Sequence, residues 1–291
     1  MNRRKAMFWN PSGGAVDCFL CPQFCKIPEN AAGICGIRQN MGGELFAAGY
    51  GLVSSAALDP IEKKPLFMFN PGKNILSIGG FGCNLRCPFC QNSQISIEYD
   101  ARWQYSQSLT AEQVAELAVE TAANRNIGVA YTYNEPLVNY EFLYDCARHV
   151  REAGMLNILV TNGFINPEPL EMLLPFIDAM NIDLKGFSDD FYTKLGARRG
   201  GVEAVKQTIA TAREFCHVEV TTLVIPGENE DEVAPLSEWL ASLDENIPLH
   251  LNRFYPRFKY SDKMPTPPET LLRLGEIAKT RLTNVFIGNV R

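Results

Sequence analysis

From Asn74 onward, short apolar runs alternate with amphipathic stretches, and this alternation constrains the fold more than any other feature of the chain. Strands are expected at residues 74–78, 127–133, 156–161, 179–184, 217–225, 248–254 and 284–288. Helices are expected between them. One begins at Thr110, where Thr110 and Gln113 form a capping-box pattern ahead of Val114, Leu117, Ala118 and Ala122. Phe142, Leu143, Cys146, Ala147 and Val150 form a second apolar stripe. Further helices are expected at 167–176, 202–215, 231–243 and 268–282. Strands separated by helices must pair in parallel through right-handed crossovers. Seven strands suit an α/β fold of the partial (β/α), TIM-like barrel type; a doubly wound open sheet is the alternative.

Polar residues collect where such strands would end. Gly82-Cys83-Asn84 follows the first strand, Asn134-Glu135-Pro136 the second and Thr161-Asn162-Gly163 the third. Asp183-Leu184-Lys185 closes the fourth, Pro226-Gly227-Glu228-Asn229 follows the fifth, and His250 and Arg253 lie on the sixth. In a parallel barrel these ends share one face, where active sites form. Taken singly, each could be a turn or cap.

Residues 1–70 differ: they are rich in Gly, Pro and Cys and weakly periodic, and read as a small Cys-rich N-terminal metal-binding segment before a barrel at 71–291. Hydrophobic residues make up 46% of the 291, enough for a large core. The balance of 27 basic against 33 acidic residues, a net charge of −6, gives no footprint for nucleic acid. The opening residues lack the apolar stretch of a signal peptide, and no run approaches the ~18 apolar residues of a membrane helix. A soluble, cytoplasmic protein is expected.

In a reducing compartment nine cysteines do not suggest disulfides. Seven of them cluster: Cys18, Cys21, Cys25 and Cys35, then Cys83, Cys87 and Cys90. Short spacings point to metal. Three thiolates within eight residues can wrap one compact centre. Structural zinc and ferredoxin-type clusters ordinarily take four protein ligands. With three, a 4Fe–4S cluster keeps one iron open to a substrate.

Cys83-x3-Cys87-x2-Cys90, with Phe89 before the last cysteine and directly after a first strand, resembles the signature of the radical SAM superfamily. The resemblance implies a 4Fe–4S cluster on Cys83, Cys87 and Cys90. Its open iron would chelate S-adenosylmethionine (SAM). An electron from a donor such as flavodoxin or ferredoxin would then cleave SAM to a 5′-deoxyadenosyl radical that abstracts hydrogen from a substrate. Tyr131-Thr-Tyr-Asn-Glu-Pro136 resembles the element that holds the SAM amino group, with Tyr133 and Asn134 where that element has glycines. Thr161-Asn162-Gly163, Asp183-Leu184-Lys185, Val224-Ile-Pro-Gly227 and His250 resemble cofactor-binding elements of pyruvate formate-lyase-activating enzymes and related activases. The implied cofactor-binding residues are therefore Phe89, Asn134, Glu135, Thr161, Asn162, Asp183, Lys185 and His250. Cys18-Phe-Leu-Cys-Pro-Gln-Phe-Cys25, Asp59-Pro-Ile-Glu-Lys-Lys-Pro65 and Arg253-Phe-Tyr-Pro256 carry a further resemblance, to the radical SAM enzyme of the AmmeMemoRadiSam system. It implies companions of Memo and AMMECR type.

Several of these residues have plainer readings. His250 can be a core histidine, and Asp183 with Lys185 a strand-end ion pair. Arg253 can contact a substrate carboxylate or balance charge. Cys146 belongs to a core stripe. Cys18, Cys21, Cys25 and Cys35 can hold zinc or a second iron–sulfur cluster, or remain reduced thiols. Three functions compete: a radical SAM enzyme acting on an unknown substrate, an activase installing a glycyl radical on a partner, and a non-catalytic iron–sulfur or zinc protein.

Overall fold

The computed structural model describes residues 4–98, 106–198 and 200–290. The chain opens in small antiparallel units. β1 (Trp9–Ser12), β2 (Ala15–Cys18) and β3 (Lys26–Ile27) form one sheet, and β4 (Arg38–Met41) and β5 (Glu44–Ala47) form a hairpin. Its two-residue turn, Gly42-Gly43, has positive φ at both positions (65° and 79°), as a tight hairpin turn requires. β6 (Leu52–Val53) pairs further on with β9 (Gln107–Ser108). β7 (Ser55–Pro60) lies antiparallel along all of β8 (Asn74–Gly79). Residues 55–60 thus form the edge of the main sheet although they precede residue 70.

β8 is followed in space by β10 (Asn126–Thr132), β11 (Leu156–Thr161), β12 (Ala179–Asp183), β13 (His217–Val224), β14 (Leu249–Arg253) and β15 (Val285–Gly288), all parallel. Strand order follows chain order without reversal. A doubly wound sheet reverses at a switch point; this sheet has none and curls instead into an open barrel with β7 and β15 at its edges.

The helices are α1 (Ser93–Ser96), α2 (Ala111–Glu120), α3 (Tyr140–Glu152), α4 (Pro167–Leu173), α5 (Asp189–Lys194), α6 (Gly201–Ala212), α7 (Val233–Leu243) and α8 (Pro268–Lys279). The capping box at α2 forms in full, with Gln113 N–H on Thr110 Oγ1 (3.2 Å) and Thr110 N–H on Gln113 Oε1 (2.8 Å). α2 stops at Glu120, so Ala122 falls outside the helix and is exposed. The expected α3 stripe, including Cys146, is buried throughout.

Strand residues alternate between the two faces of the sheet. Ile75, Ala130, Ile158 and Ala179 make an apolar layer inside the barrel with Ile61 and Leu66 from the segment after β7. That segment closes the N-terminal end of the barrel. Further along, the inward positions become polar: Thr132, Asp183, Thr221 and Asn252 line a cavity that opens at the C-terminal strand ends. The N-terminal units dock against α3 through a buried ion pair, Arg38 Nη1 to Glu141 Oε1 at 3.0 Å, and Glu141 also accepts Met7 N–H (2.7 Å). All nine cysteines are free thiols. Among the described residues no helix is long and apolar enough to cross a membrane.

Candidate active site

The loop leaving β8 turns at Gly82, whose φ is 84°. A Cβ there would lie 2.6 Å from the Cys35 carbonyl oxygen, so only glycine allows this close approach. The loop brings Cys83, Cys87 and Cys90 to one cavity of 350 Å³, together with Phe89, Asn134, Glu135, Thr161, Asn162, Asp183 and Lys185. Four separate strand ends supply these groups. Of the implied site residues on the barrel, only His250 is left out. It is buried below the cavity, its Nε2 2.6 Å from Glu219 Oε2 and its ring against Phe67 and Phe286. Arg253 also turns aside, donating to the Thr266 carbonyl (2.6 Å) and the Tyr255 hydroxyl (2.9 Å).

Glu135 is the best-anchored group in the cavity wall. Its carboxylate accepts Thr161 Oγ1–H (2.6 Å), Asn162 N–H (2.7 Å) and Leu137 N–H (3.1 Å). Burial raises it to about 7 against the pull of these three bonds. A carboxylate offers about four acceptor sites, so one remains for a cation entering the cavity. Lys185 stays charged. Burial alone would lower its pKa, but Asp183 Oδ2 at 3.0 Å and the nearby Cys87 raise it.

Asn134 acts on the loop itself. Its Oδ1 accepts Gly80 N–H (2.8 Å) and its Nδ2 donates to the carbonyls of Phe81 (2.9 Å) and Gly82 (3.0 Å). Asn162 Nδ2 donates to Asn84 Oδ1 (2.9 Å) and lies 3.7 Å from Cys83 Sγ. Phe89 is buried and stacks towards Phe191 with ring centroids 6.5 Å apart.

The donor set fits a cluster. Three thiols open on one roomy cavity, while among the described residues no three Cys, His, Asp or Glu side chains converge as ligands of a single ion. A cubane presents its irons at separate corners, so its thiolates need not meet at a point. Burial holds the Cys87 thiol up at about 11 and raises Cys83 and Cys90 as well. Ligation would displace these protons.

One group at the cavity, Lys64, was not singled out in the sequence, and Tyr133 beside it was named only where the resembled element has glycine. Lys64 is buried, its Nζ bonded to Asp59 Oδ2 (2.9 Å) and 4.7 Å from the centre of the Tyr133 ring. Tyr133 has φ 71° and is held by its hydroxyl on Asp59 Oδ2 (2.8 Å) and its carbonyl on Asn92 Nδ2 (2.7 Å). The run of charges in Asp59-Pro-Ile-Glu-Lys-Lys-Pro65 was the available signal.

Strand ends that gather thiols, amides and a carboxylate around one cavity place the chain with barrel enzymes that use a sulfur-ligated cofactor. Residues 77–240, more than half of the chain, match the Radical SAM superfamily, and the chain belongs to it. Members of that superfamily are enzymes, and its fold implies a 4Fe–4S cluster and SAM. The chain is 42% identical over 293 residues to the Methanocaldococcus jannaschii protein MJ0808, described as uncharacterized, covering 99% of this chain and 85% of that one. A second M. jannaschii protein, MJ1227, whose name assigns it to glycyl-radical enzyme activation, is 27% identical over 222 residues, 72% of this chain and 87% of that protein. Among solved structures, a radical SAM methyltransferase from Sphaerobacter thermophilus shares the fold with a TM-score of 0.57 at 19% identity, covering 77% of this chain and 69% of that one.

Proposed function

We propose that the chain is a radical SAM enzyme in which Cys83, Cys87 and Cys90 hold the 4Fe–4S cluster on the barrel, with the Cys-rich residues ahead of β7 as a metal-holding segment. The convergence of the three thiols on one cavity with a buried, incompletely used carboxylate carries this reading. When bound, the cluster and SAM supply a 5′-deoxyadenosyl radical that takes hydrogen from a substrate. The chain's own groups orient and protect. Glu135 receives the SAM ammonium in a charge-assisted bond. Thr161 and the Asn162 amide fix that carboxylate. Asp183 and Lys185 offer paired charges to the rest of the cofactor, and Phe89 walls off water.

A second reading, an activase that installs a glycyl radical on a partner enzyme, is favoured by the similarity to MJ1227. The motifs shared with the AmmeMemoRadiSam group suggest Memo- and AMMECR-type companions. Cys18, Cys21, Cys25 and Cys35 form a second metal site, of zinc or iron–sulfur type. The test is anaerobic reconstitution with iron, sulfide, reductant and SAM. The enzyme should release 5′-deoxyadenosine, and Cys87→Ala should release none, because two thiolates do not hold the cluster. Turnover retained in that variant would refute the assignment. A stable glycyl radical signal on adding a candidate partner would select the activase.

A further inference from the structure

Lys64 reaches the cavity from the closed end of the barrel. It lies between Ile61 and Leu66, two fully buried residues of the segment that plugs that end. The segment is pinned on both sides of it. Lys64 N–H bonds the Ile61 carbonyl (2.8 Å), and the Pro65 carbonyl accepts Asn181 Nδ2–H (2.8 Å). Phe67 and Met68 are tied to Glu219 just beyond. Lys64 is only 3% exposed, yet it lines the cavity with Thr132, Tyr133 and Thr221. Lysine is almost never fully buried unless it is paired.

The charges around Lys64 do not balance. Lys63 Nζ and Lys64 Nζ share one carboxylate, Asp59, at 3.0 Å and 2.9 Å, and neither makes another ion pair among the described residues. Against burial, bonds from Lys64, Tyr133 and Lys63 hold Asp59 well below the usual carboxylate range, so one negative charge faces two positive ones. Elsewhere on the wall, Asp183 and Lys185 neutralise each other at 3.0 Å, and Glu135 is the acceptor allotted to the SAM ammonium. The surplus is one positive charge at the closed end of the cavity. Burial lowers the Lys64 pKa, and Asp59 pulls it back only in part. An ammonium also carries three donors. One meets Asp59 Oδ2, and the Tyr133 ring, its centre 4.7 Å away, attracts the same charge through its face. Among the described residues Nζ makes no further hydrogen bond, so donors remain for a ligand.

A second group on the cavity lacks a partner. Thr221 is 5% exposed and lines the cavity from β13, and its Oγ1 makes no hydrogen bond among the described residues. A buried hydroxyl left unmatched costs free energy that a polar ligand recovers. An incompletely compensated ammonium and an unmatched hydroxyl on one cavity call for an occupant with an anionic, hydrogen-bonding end. A neutral occupant would leave the surplus charge buried, and a cationic one would add to it.

We propose that Lys64 receives an anionic group of the substrate, a carboxylate or a phosphate, and thereby sets which end of the substrate faces the cofactor. This rests on the radical SAM reading only for what the anion belongs to. The depth of Lys64 adds a size limit: only a small acid, or a slender terminus that enters the barrel, touches a side chain so little exposed. Lys63, on the exposed side of Asp59, leaves that carboxylate less able to satisfy Lys64 and so favours the incoming anion.

The experiment titrates inorganic phosphate, and separately acetate, into the full chain carrying its cluster and saturated with SAM, by calorimetry at low ionic strength. At least one anion should bind saturably at one site per chain. Lys64→Gln should weaken that binding about tenfold or more, the loss of one charge-assisted bond, and Lys64→Arg should restore it to within a few-fold. Phosphate alone points to a phosphorylated substrate, and acetate alone to a carboxylic acid. No saturable binding of either anion, or equal binding by parent and Lys64→Gln, would overturn the proposal. So would an anion that binds only without SAM and is expelled by it, since Lys64 would then hold the cofactor's own carboxylate. Lys64→Gln also loosens the turn behind the cysteine loop, so both proteins are titrated again without cluster. The difference between them should persist there; its disappearance would count against a direct contact. Anion binding at Lys64 in a protein that cleaves no SAM keeps this site and removes the radical SAM reading, whereas SAM cleavage without anion binding does the reverse.

Discussion

Glu219 sits inside the barrel with its side chain wholly buried, and removing its charge should loosen the segment that closes the N-terminal end. Its carboxylate accepts Phe67 N–H (3.0 Å) and Met68 N–H (2.8 Å), with His217 Nε2 at 3.0 Å and His250 Nε2 at 2.6 Å. Burial would raise its pKa; these four contacts overcome that and hold it at about 2, below the ordinary 4.5. The difference corresponds to roughly 3 kcal/mol of preference for the ionised carboxylate in the folded arrangement. Because the folded value is depressed, this contribution is complete above the ordinary value near 4.5 and is lost as pH falls towards 2. Glu219→Gln keeps the shape and deletes the charge. At pH 7 the amides of Phe67 and Met68 should exchange hydrogen up to about a hundredfold faster, after correction for intrinsic rates. The gap between variant and parent should narrow below pH 4.5. Equal protection in both proteins at pH 7, or a gap that does not depend on pH, would refute the anchoring role.

Glu135→Gln should weaken SAM binding about tenfold while leaving the cluster absorbance unchanged, since it deletes the charge facing the cavity and not a thiol; equilibrium titration of the reconstituted enzyme checks this. Arg38→Ala leaves Glu141 buried without its cation and should cost about 3–5 kcal/mol, read as a lower unfolding temperature and faster proteolysis of residues 1–50. Tyr133→Phe removes the 2.8 Å bond to Asp59 and should cost about 1–2 kcal/mol, seen as faster amide exchange at Asn134 and a few-fold weaker SAM binding.

The parallel strands were legible because their apolar runs are short and separated by helical periods, and because polar residues collect at or near the ends of six of the seven. The α2 start was legible because its cap is local. Neither the Arg38–Glu141 pair nor the Asn84–Asn162 bond could be read in the same way: their partners are 103 and 78 residues apart, and each residue by itself is an ordinary loop or helix polar group. Glu219 was invisible for a different reason. In His217-Val-Glu-Val-Thr-Thr-Leu-Val224 the polar residues alternate as they would on a strand with one wet face. In a barrel that face is the interior, and only the closing segment, with its two free amides, makes a buried glutamate there tolerable. His250 then follows. On the strand beside β13 it is positioned to meet Glu219, and the pairing keeps it below the cavity.

The Tyr133-Asn134 pair shows how one part of the sequence compensates for another. A left-handed φ of 71° is open to glycine at little cost, whereas a side chain there raises the energy by about 1–2 kcal/mol. Yet the tyrosine is needed where it stands. A Cβ added at Gly79 would come within 2.8 Å of the Tyr133 ring, so the ring rests on bare backbone. Its hydroxyl binds Asp59, which also binds Lys63 (3.0 Å) and Lys64 (2.9 Å). Asn134 supplies three hydrogen bonds to the cysteine loop that glycine could not make. The motif before β8 and the turn after β10 are thus one structure: the charges at Asp59 and Lys64 hold a strained turn that in turn fixes Gly80, Phe81 and Gly82 ahead of Cys83. The geometry of the first thiol therefore depends on a lysine–aspartate pair far from it in sequence, and a variant that breaks this pair should disturb cluster retention before it disturbs the barrel.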